Sequence, residues 1–278
     1  MYKNTIVNKI IRQKNLIYGK RFNRMALSSR GEQKFLLLGT LPRSGTHFAR
    51  NLLTNYFTIL SEDKEYSPPQ VAKIASNNFQ YDLFDINSPL FRGPIKSNKL
   101  MQNAKFRGTK LFDISRTHLV YSPKLFSAFH TIHLRRNPVD FFTSYIQYMF
   151  LKRGHCFSED LFWNVYNSKK TYYENMIKSY DNAKSVLIYD YTDLVENPSM
   201  FIRKSVKFLG LDDLSEQAIE RAIRVSSLQN TLKIEAKNQR INPTANINGS
   251  FMNIGETKFL LNKRFQRIIE NEILCYKN

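Results

Sequence analysis

The chain has 278 residues, with 42 Lys and Arg against 23 Asp and Glu and a formal charge of +19, which favours an anionic cofactor, acceptor or surface. No Pro/Gly/Ser-rich linker or low-complexity tract divides it, so one large α/β domain is expected rather than two. Cys156 and Cys275 have neither metal-ligand spacing nor a disulfide framework, which argues against a stapled secreted scaffold and for a reducing compartment, with the cytoplasm as the expected location.

Residues 1 to 30 form a basic N-terminal extension whose Ile6, Ile10, Ile11, Leu16 and Ile17 are too sparse for a secretory or membrane-spanning segment. A docked helix and a peripheral contact with an anionic membrane are both open to it. The main domain is expected to fill residues 31 to 278. Its first strand starts near Lys34 and delivers the chain to Gly39. A compact turn with Arg43 follows, and a helix restarts with Phe48, Leu52, Leu53, Tyr56 and Phe57 on one face. Backbone N–H groups of such a turn converge on an anion, and the helix N-terminus adds partial positive charge. Arg43 adds a planar donor fork, Gly39 and Gly45 supply tight backbone, and Ser44 and Thr46 supply hydroxyls. The spacing is close to the nucleotide loop GxxxxGK[ST], but Ser44 and Gly45 stand at its diagnostic glycine and lysine positions. A nucleotide phosphoryl transferase therefore lacks its principal charge, and an ordinary strand-to-helix turn is the bland alternative.

Further strands are predicted at 108 to 114, 129 to 135 and 184 to 191. Helices are predicted from Pro138 onward and over 159 to 180, 199 to 209, 214 to 225 and 257 to 273. This alternation predicts an α/β fold, a central, mostly parallel sheet flanked by helices. Arg135 and Arg136 close the strand at 129 to 135, and Ser144 lies about two helical turns beyond. An arginine and a hydroxyl at that spacing can meet one phosphate from two directions, with Asp140 bracing the arginine.

PRSGTHF at 42 to 48, RNPVDFFTSY at 136 to 145 and YDYTDLVENPSMFIRKSVKFLGL at 189 to 211 together resemble the sulfotransferases that use 3′-phosphoadenosine 5′-phosphosulfate, PAPS. The likeness runs from about Lys34 to about Lys258. It implies a P-loop-like three-layer sandwich and in-line transfer of a sulfuryl group to an acceptor hydroxyl or amine, leaving adenosine 3′,5′-bisphosphate, PAP, with no metal required. By the same resemblance Arg43 contacts the transferring and leaving groups, and Ser44, Gly45, Thr46 and His47 complete the cradle. Arg136 and Ser144 correspond to the 3′-phosphate binders, Phe48 and Tyr191 to aromatic positions around the adenine, and Ser227 to a further cofactor contact. The C-terminal element departs from the family. FMNIGETKFLL at 251 to 261 keeps Gly255 and Glu256 but has Thr257 where a tryptophan is usual, and residues 246 to 254 contain no arginine. Arg240, Lys258 and Lys263 are candidates to replace that charge.

His118 is the leading general base, because RTHLVY at 116 to 121 resembles the family's Lys-Thr-His segment with Arg116 at the lysine. The competing base is a carboxylate, Glu62 at the end of a predicted strand or Glu65 beyond it, as glycan sulfotransferases place a glutamate after the phosphate-loop helix. His130 and His133 are read as packing residues. The acceptor is expected to bear a hydroxyl, as a glycan or glycolipid, with a small alcohol or phenol as the alternative. A noncatalytic polyanion-binding protein is the remaining class, and nothing in the pattern specifies nucleic acid.

Overall fold

A computed structural model of the chain describes residues 34–65, 112–118, 120–121, 123–126, 130–153, 158–211, 214–227, 229–230 and 260–273. The N-terminal extension and the segment around Gly255, Glu256 and Thr257 lie outside the described residues. Among the described residues, four strands form one parallel sheet: β1 (Lys34–Thr40), β2 (Phe112–Thr117), β3 (His130–Arg135) and β4 (Val186–Asp190), in the order β2-β1-β3-β4. Leu36, Leu37 and Leu38 are all fully buried, as the unbroken apolar run of a central parallel strand requires.

Helices cover both faces of this sheet. α1 (Thr46–Glu62) follows β1, the short α2 (Pro123–Phe126) follows β2, and α3 (Pro138–Arg153) and α4 (Glu159–Asp181) follow β3. After β4 come α5 (Tyr191–Glu196), α6 (Pro198–Phe208), α7 (Glu216–Ser226) and α8 (Lys263–Glu272). One core joins Leu36, Leu38, Ile114, Ile132, Leu134 and Tyr189 of the sheet to α1, α6 and α7. A second joins α3, α4 and α8 around Phe142, Phe162, Tyr173 and Ile269. The result is the three-layer α/β arrangement that the alternation predicts. Among the described residues no helix is long and apolar enough to cross a membrane.

Local sequence explains the helix starts. Ser158, Asn197, Ser215 and Asn262 each accept a backbone N–H in the first turn of α4, α6, α7 and α8, the N-cap bond those residue types favour. α1 instead starts at Gly45 with no side-chain cap. Two predicted boundaries move. The strand sought at 108 to 114 is described at Phe112–Thr117, and no strand ends at Glu62, which is the last residue of the 17-residue α1. The helix runs on because nothing before Asp63 breaks it. Asp63 then closes it with a left-handed backbone, φ 51°, its N–H bonded to Ile59 O.

The sheet order sets where a ligand can sit. β1 is followed by a crossover to β2 on one side, and the chain then returns past it to β3 on the other. Loops leaving the ends of β1 and β3 therefore diverge and open a crevice at the outgoing edge, the usual ligand position of open α/β sheets.

Candidate active site

Each candidate cluster occupies that edge. Arg43, Ser44 and Gly45 follow β1, His118 follows β2, Arg136 follows β3, and Tyr191 follows β4. The turn after β1 is held by Ser44 N–H donating to Leu41 O at 3.2 Å. Arg43 and Gly45 both adopt left-handed backbone, φ 67° and 76°. That conformation is uncommon for arginine and marks a turn over-determined by its surroundings. Glycine is required at 45 for a second reason: a Cβ there would lie 2.6 Å from Cδ2 and Cε2 of Tyr191.

Arg136 braces the turn from β3. Its Nη1 donates to the Arg43 carbonyl, its guanidinium lies 4.4 Å over the Tyr191 ring, and its own carbonyl accepts from Tyr173 Oη at 2.6 Å. The Arg43 guanidinium lies 5.3 Å from the centre of the Tyr148 ring on α3. Each arginine thus has an aromatic backing, a favourable arrangement for a partly desolvated cation. Burial, and secondarily Arg136, pull the pKa of Arg43 down; burial pulls Arg136 down too, against the opposing effect of Tyr191 and Asp140.

Arg43 Nε, Arg136 Nε and the hydroxyl of the fully buried Ser44 have no hydrogen-bond partner among the described residues, and buried donors left that way are costly. α1 adds first-turn N–H groups that no side chain caps. The donor set, two arginines, a buried hydroxyl and a helix N-terminus around one turn, fits phosphate or sulfate groups.

His118 is connected to the same turn. Its Nδ1 lies 2.7 Å from Thr40 O and 3.3 Å from Thr40 Oγ1, and Thr40 Oγ1 lies 2.7 Å from Thr46 Oγ1 in the first turn of α1. A carbonyl only accepts, so in the neutral ring Nδ1 carries the hydrogen and Nε2 the lone pair. The His118 carbonyl accepts from Tyr172 Oη at 2.7 Å, which ties this loop to α4. His47, next along α1, is held neutral, its pKa lowered to about 3 by burial and then by Arg50, Arg116, His118 and Arg43.

The remaining candidates separate. Ser144 is half-buried on α3, one turn before Tyr148 and therefore on the same helix side. Phe48 packs against the core shared by α1, α6 and α7. Ser227 caps α7, and its Oγ accepts from Asn230 N at 3.2 Å. The carboxylates are displaced. Glu62 ends α1, about 24 Å along the helix from Thr46 at 1.5 Å per residue. Glu65 lies beyond it, where Arg221 Nε and Arg224 Nη2 donate to its Oε1 at 2.9 and 3.2 Å. Glu62 therefore sits at the far end of α1 from the turn that carries Arg43, and not at the end of a strand. His133 is a packing residue, stacked at 4.1 Å on Tyr180 with Nδ1 2.8 Å from Gly39 O, and His130 meets Phe208 edge-on.

Sequence reasoning missed Thr40, Tyr148 and Asp190. Tyr148 had a signal, standing four residues after Ser144 on the helix that begins at Pro138. Thr40 and Asp190 had none, because their roles depend on pairing between strands far apart in the chain.

The fold and edge cluster define a P-loop-like α/β protein built to hold an anionic group during transfer. A sequence profile described as "Sulfotransferase domain" matches residues 33–260. The chain belongs to that family, and its activity class is sulfuryl transfer. No curated protein matches it. Among solved structures it is similar to retinol dehydratase in complex with androsterone and inactive cofactor PAP, with 16% identity, 85% of this chain and 78% of that chain covered, and a TM-score of 0.53. It is likewise similar to mouse sulfotransferase SULT7A1 complexed with PAP, with 19% identity, 87% and 82% coverage, and a TM-score of 0.52. At these identities the likeness is one of fold.

Proposed function

We propose that the protein transfers a sulfuryl group from PAPS to an acceptor hydroxyl, with His118 as the base and a carbohydrate-containing molecule as the acceptor. The observation that carries the cofactor reading is the set of buried donors of Arg43, Ser44 and Arg136 around a left-handed turn that no described residue satisfies. When bound, PAPS supplies the sulfuryl group, and PAP is the product that leaves. Ser44, Thr46 and the first N–H groups of α1 hold the sulfated 5′ end, while Arg136 and Ser144 hold the 3′-phosphate.

Arg43, in the turn of the cradle, would supply positive charge to the phosphate that leaves. Its pre-set geometry lets it strengthen there without reorganisation, the usual origin of a large electrostatic contribution. Arg136 positions rather than activates. Thr40, by accepting from His118 Nδ1–H, leaves Nε2 as the atom that takes the acceptor's proton. Tyr191, Phe48 and Ser227 are assigned to the nucleoside end.

The +19 charge and the arginines around His47 support an acidic glycan or glycolipid. Androsterone and retinol, the ligands named with retinol dehydratase, support a second reading, a small hydrophobic alcohol. Labelled PAPS offered with oligosaccharides, glycolipids, phenols and alcohols at two ionic strengths tests both. Salt-sensitive transfer to an acidic glycan supports the first reading; transfer to small alcohols with none to glycans reverses it. No transfer, together with PAP binding no tighter than ADP, removes the cofactor assignment. The two-cysteine composition supports a cytoplasmic location, and deleting residues 1 to 30 tests peripheral membrane contact, which an unchanged distribution would rule out.

A further inference from the structure

At the outgoing ends of β3 and β4, Arg135 and Asp190 are register partners, and the ladder between these strands ends with them. Arg135 Nε donates to Asp190 Oδ1 at 2.9 Å and Nη2 donates to Oδ2 at 3.1 Å. This is the two-toothed geometry that fixes direction as well as distance. Asp181, the last residue of α4, adds a looser contact, with Oδ1 3.8 Å from Arg135 Nη1.

Each member of the pair is followed by a residue of the cradle. Arg136 comes directly after β3 and Tyr191 directly after β4, and these two stack at 4.4 Å. Arg136 then reaches the Arg43 carbonyl, and Tyr191 fills the space that a Cβ on Gly45 would need. The fork is thus the final tie before the two strands part toward the anion site. Arg135 turns to Asp190 and Asp181, while Arg136, the first residue beyond the strand, turns to the cradle.

We propose that Asp190 is a positioning residue for cofactor binding: through its fork with Arg135 it sets the separation of the β3 and β4 ends and so holds the Arg136 guanidinium on Tyr191 at the phosphate site. The pair is about a quarter exposed, 23% for Arg135 and 25% for Asp190. Ion pairs with that much solvent contact add little to global stability. Its effect therefore belongs in cofactor affinity rather than in melting temperature. The proposal rests on the PAPS reading, and binding by the parent protein tests that reading separately.

The experiment titrates PAP into the full-length parent, Asp190→Asn, Arg136→Ala and the double variant, with melting curves for each. Parent protein that does not bind PAP refutes the cofactor reading itself. With parent binding established, Asp190→Asn weakens PAP about fivefold, as expected for coupled neighbours, and keeps its melting temperature. In the Arg136→Ala background the same substitution changes affinity by less than about 1.5-fold, because the residue through which it acts is gone. Parent-like affinity in Asp190→Asn, or an equal loss with and without Arg136, overturns the proposal. Should Asp190→Asn fail to fold, Arg135→Lys carries the same cycle, since lysine keeps the charge and loses the second tooth. A restored affinity in the exchanged pair Arg135→Asp with Asp190→Arg is the supporting rescue.

Discussion

Gly45→Ala attacks the cradle at its narrowest point. Two costs follow from the geometry. A left-handed backbone, φ 76° at this residue, costs an alanine about 1 kcal/mol. The new Cβ would lie 2.6 Å from two atoms of the Tyr191 ring, so the ring must retreat by roughly 1 Å to reach ordinary contact. Overpacking of that kind costs about 1–3 kcal/mol. Together the loss is about 3 kcal/mol, or roughly 6–12 °C in Tm for a domain of this size. Retreat of Tyr191 also removes the surface on which the Arg136 guanidinium rests, so PAP affinity falls with stability. Urea denaturation measures the first effect and calorimetric titration of PAP the second. Adding Tyr191→Ala relieves the clash, so the double variant should be less destabilised than the sum of the singles, by about 1 kcal/mol. A Gly45→Ala protein within about 0.5 kcal/mol of the parent, with unchanged PAP affinity, would refute this account of the turn.

Arg43→Ala should lower kcat by at least about 100-fold with a smaller change in PAP affinity, whereas Arg136→Ala should raise KM for PAPS and weaken PAP; steady-state kinetics with calorimetry separates them, and equal effects on both quantities would remove the division. His118→Ala should abolish transfer with PAP binding retained, while Glu65→Gln should keep full turnover and lose no more than about 1 kcal/mol of stability, read by transfer assays and denaturation. Burial holds His47 at about 3 and His133 at about 4, below the usual value near 6.5. The unfolded chain binds these protons first, so stability is fully present above about pH 6.5 and falls as pH drops toward 3. Two protons give a limiting slope of about 2.7 kcal/mol per pH unit, and His133→Gln should halve it in denaturation curves across that window.

Much of the site was legible because its parts are local. The apolar run into Gly39, Arg43 in the turn and the periodic restart at Thr46 are contiguous, and the described β1 and α1 follow them directly. The placing of Arg136 just past a strand end and of Ser144 on the next helix was legible for the same reason, since the two lie within a few residues. The expected helix over 159 to 180 is matched by Glu159–Asp181, where Ser158 caps the start and two acidic residues complement the first turn. Glu62 was read at a strand end although α1 runs through it, because α1 carries buried polar residues, Asn51, Thr54, Asn55 and Thr58. Polar residues on the inner face blur a helix's periodicity unless their partner is known. Here the partner is α7, 171 positions away, where Asn55 Nδ2 donates to Ser226 Oγ. The fork between Arg135 and Asp190 and the backing of Arg43 by Tyr148 were equally hidden, since each depends on which strands and helices become neighbours.

The parallel sheet also divides the labour of its two edges. Every turn that builds the cradle leaves the sheet at one end, while the connection from α4 into β4, residues 182 to 185, enters at the other and exposes Asn182, Lys184 and Ser185. Chain length and chemistry at that incoming connection can change without moving an anion-binding group. A fluorophore attached through Lys184→Cys would therefore report opening of the sheet while PAP binding proceeds undisturbed. The same separation lets evolution or an engineer append a partner-binding segment there without renegotiating catalysis.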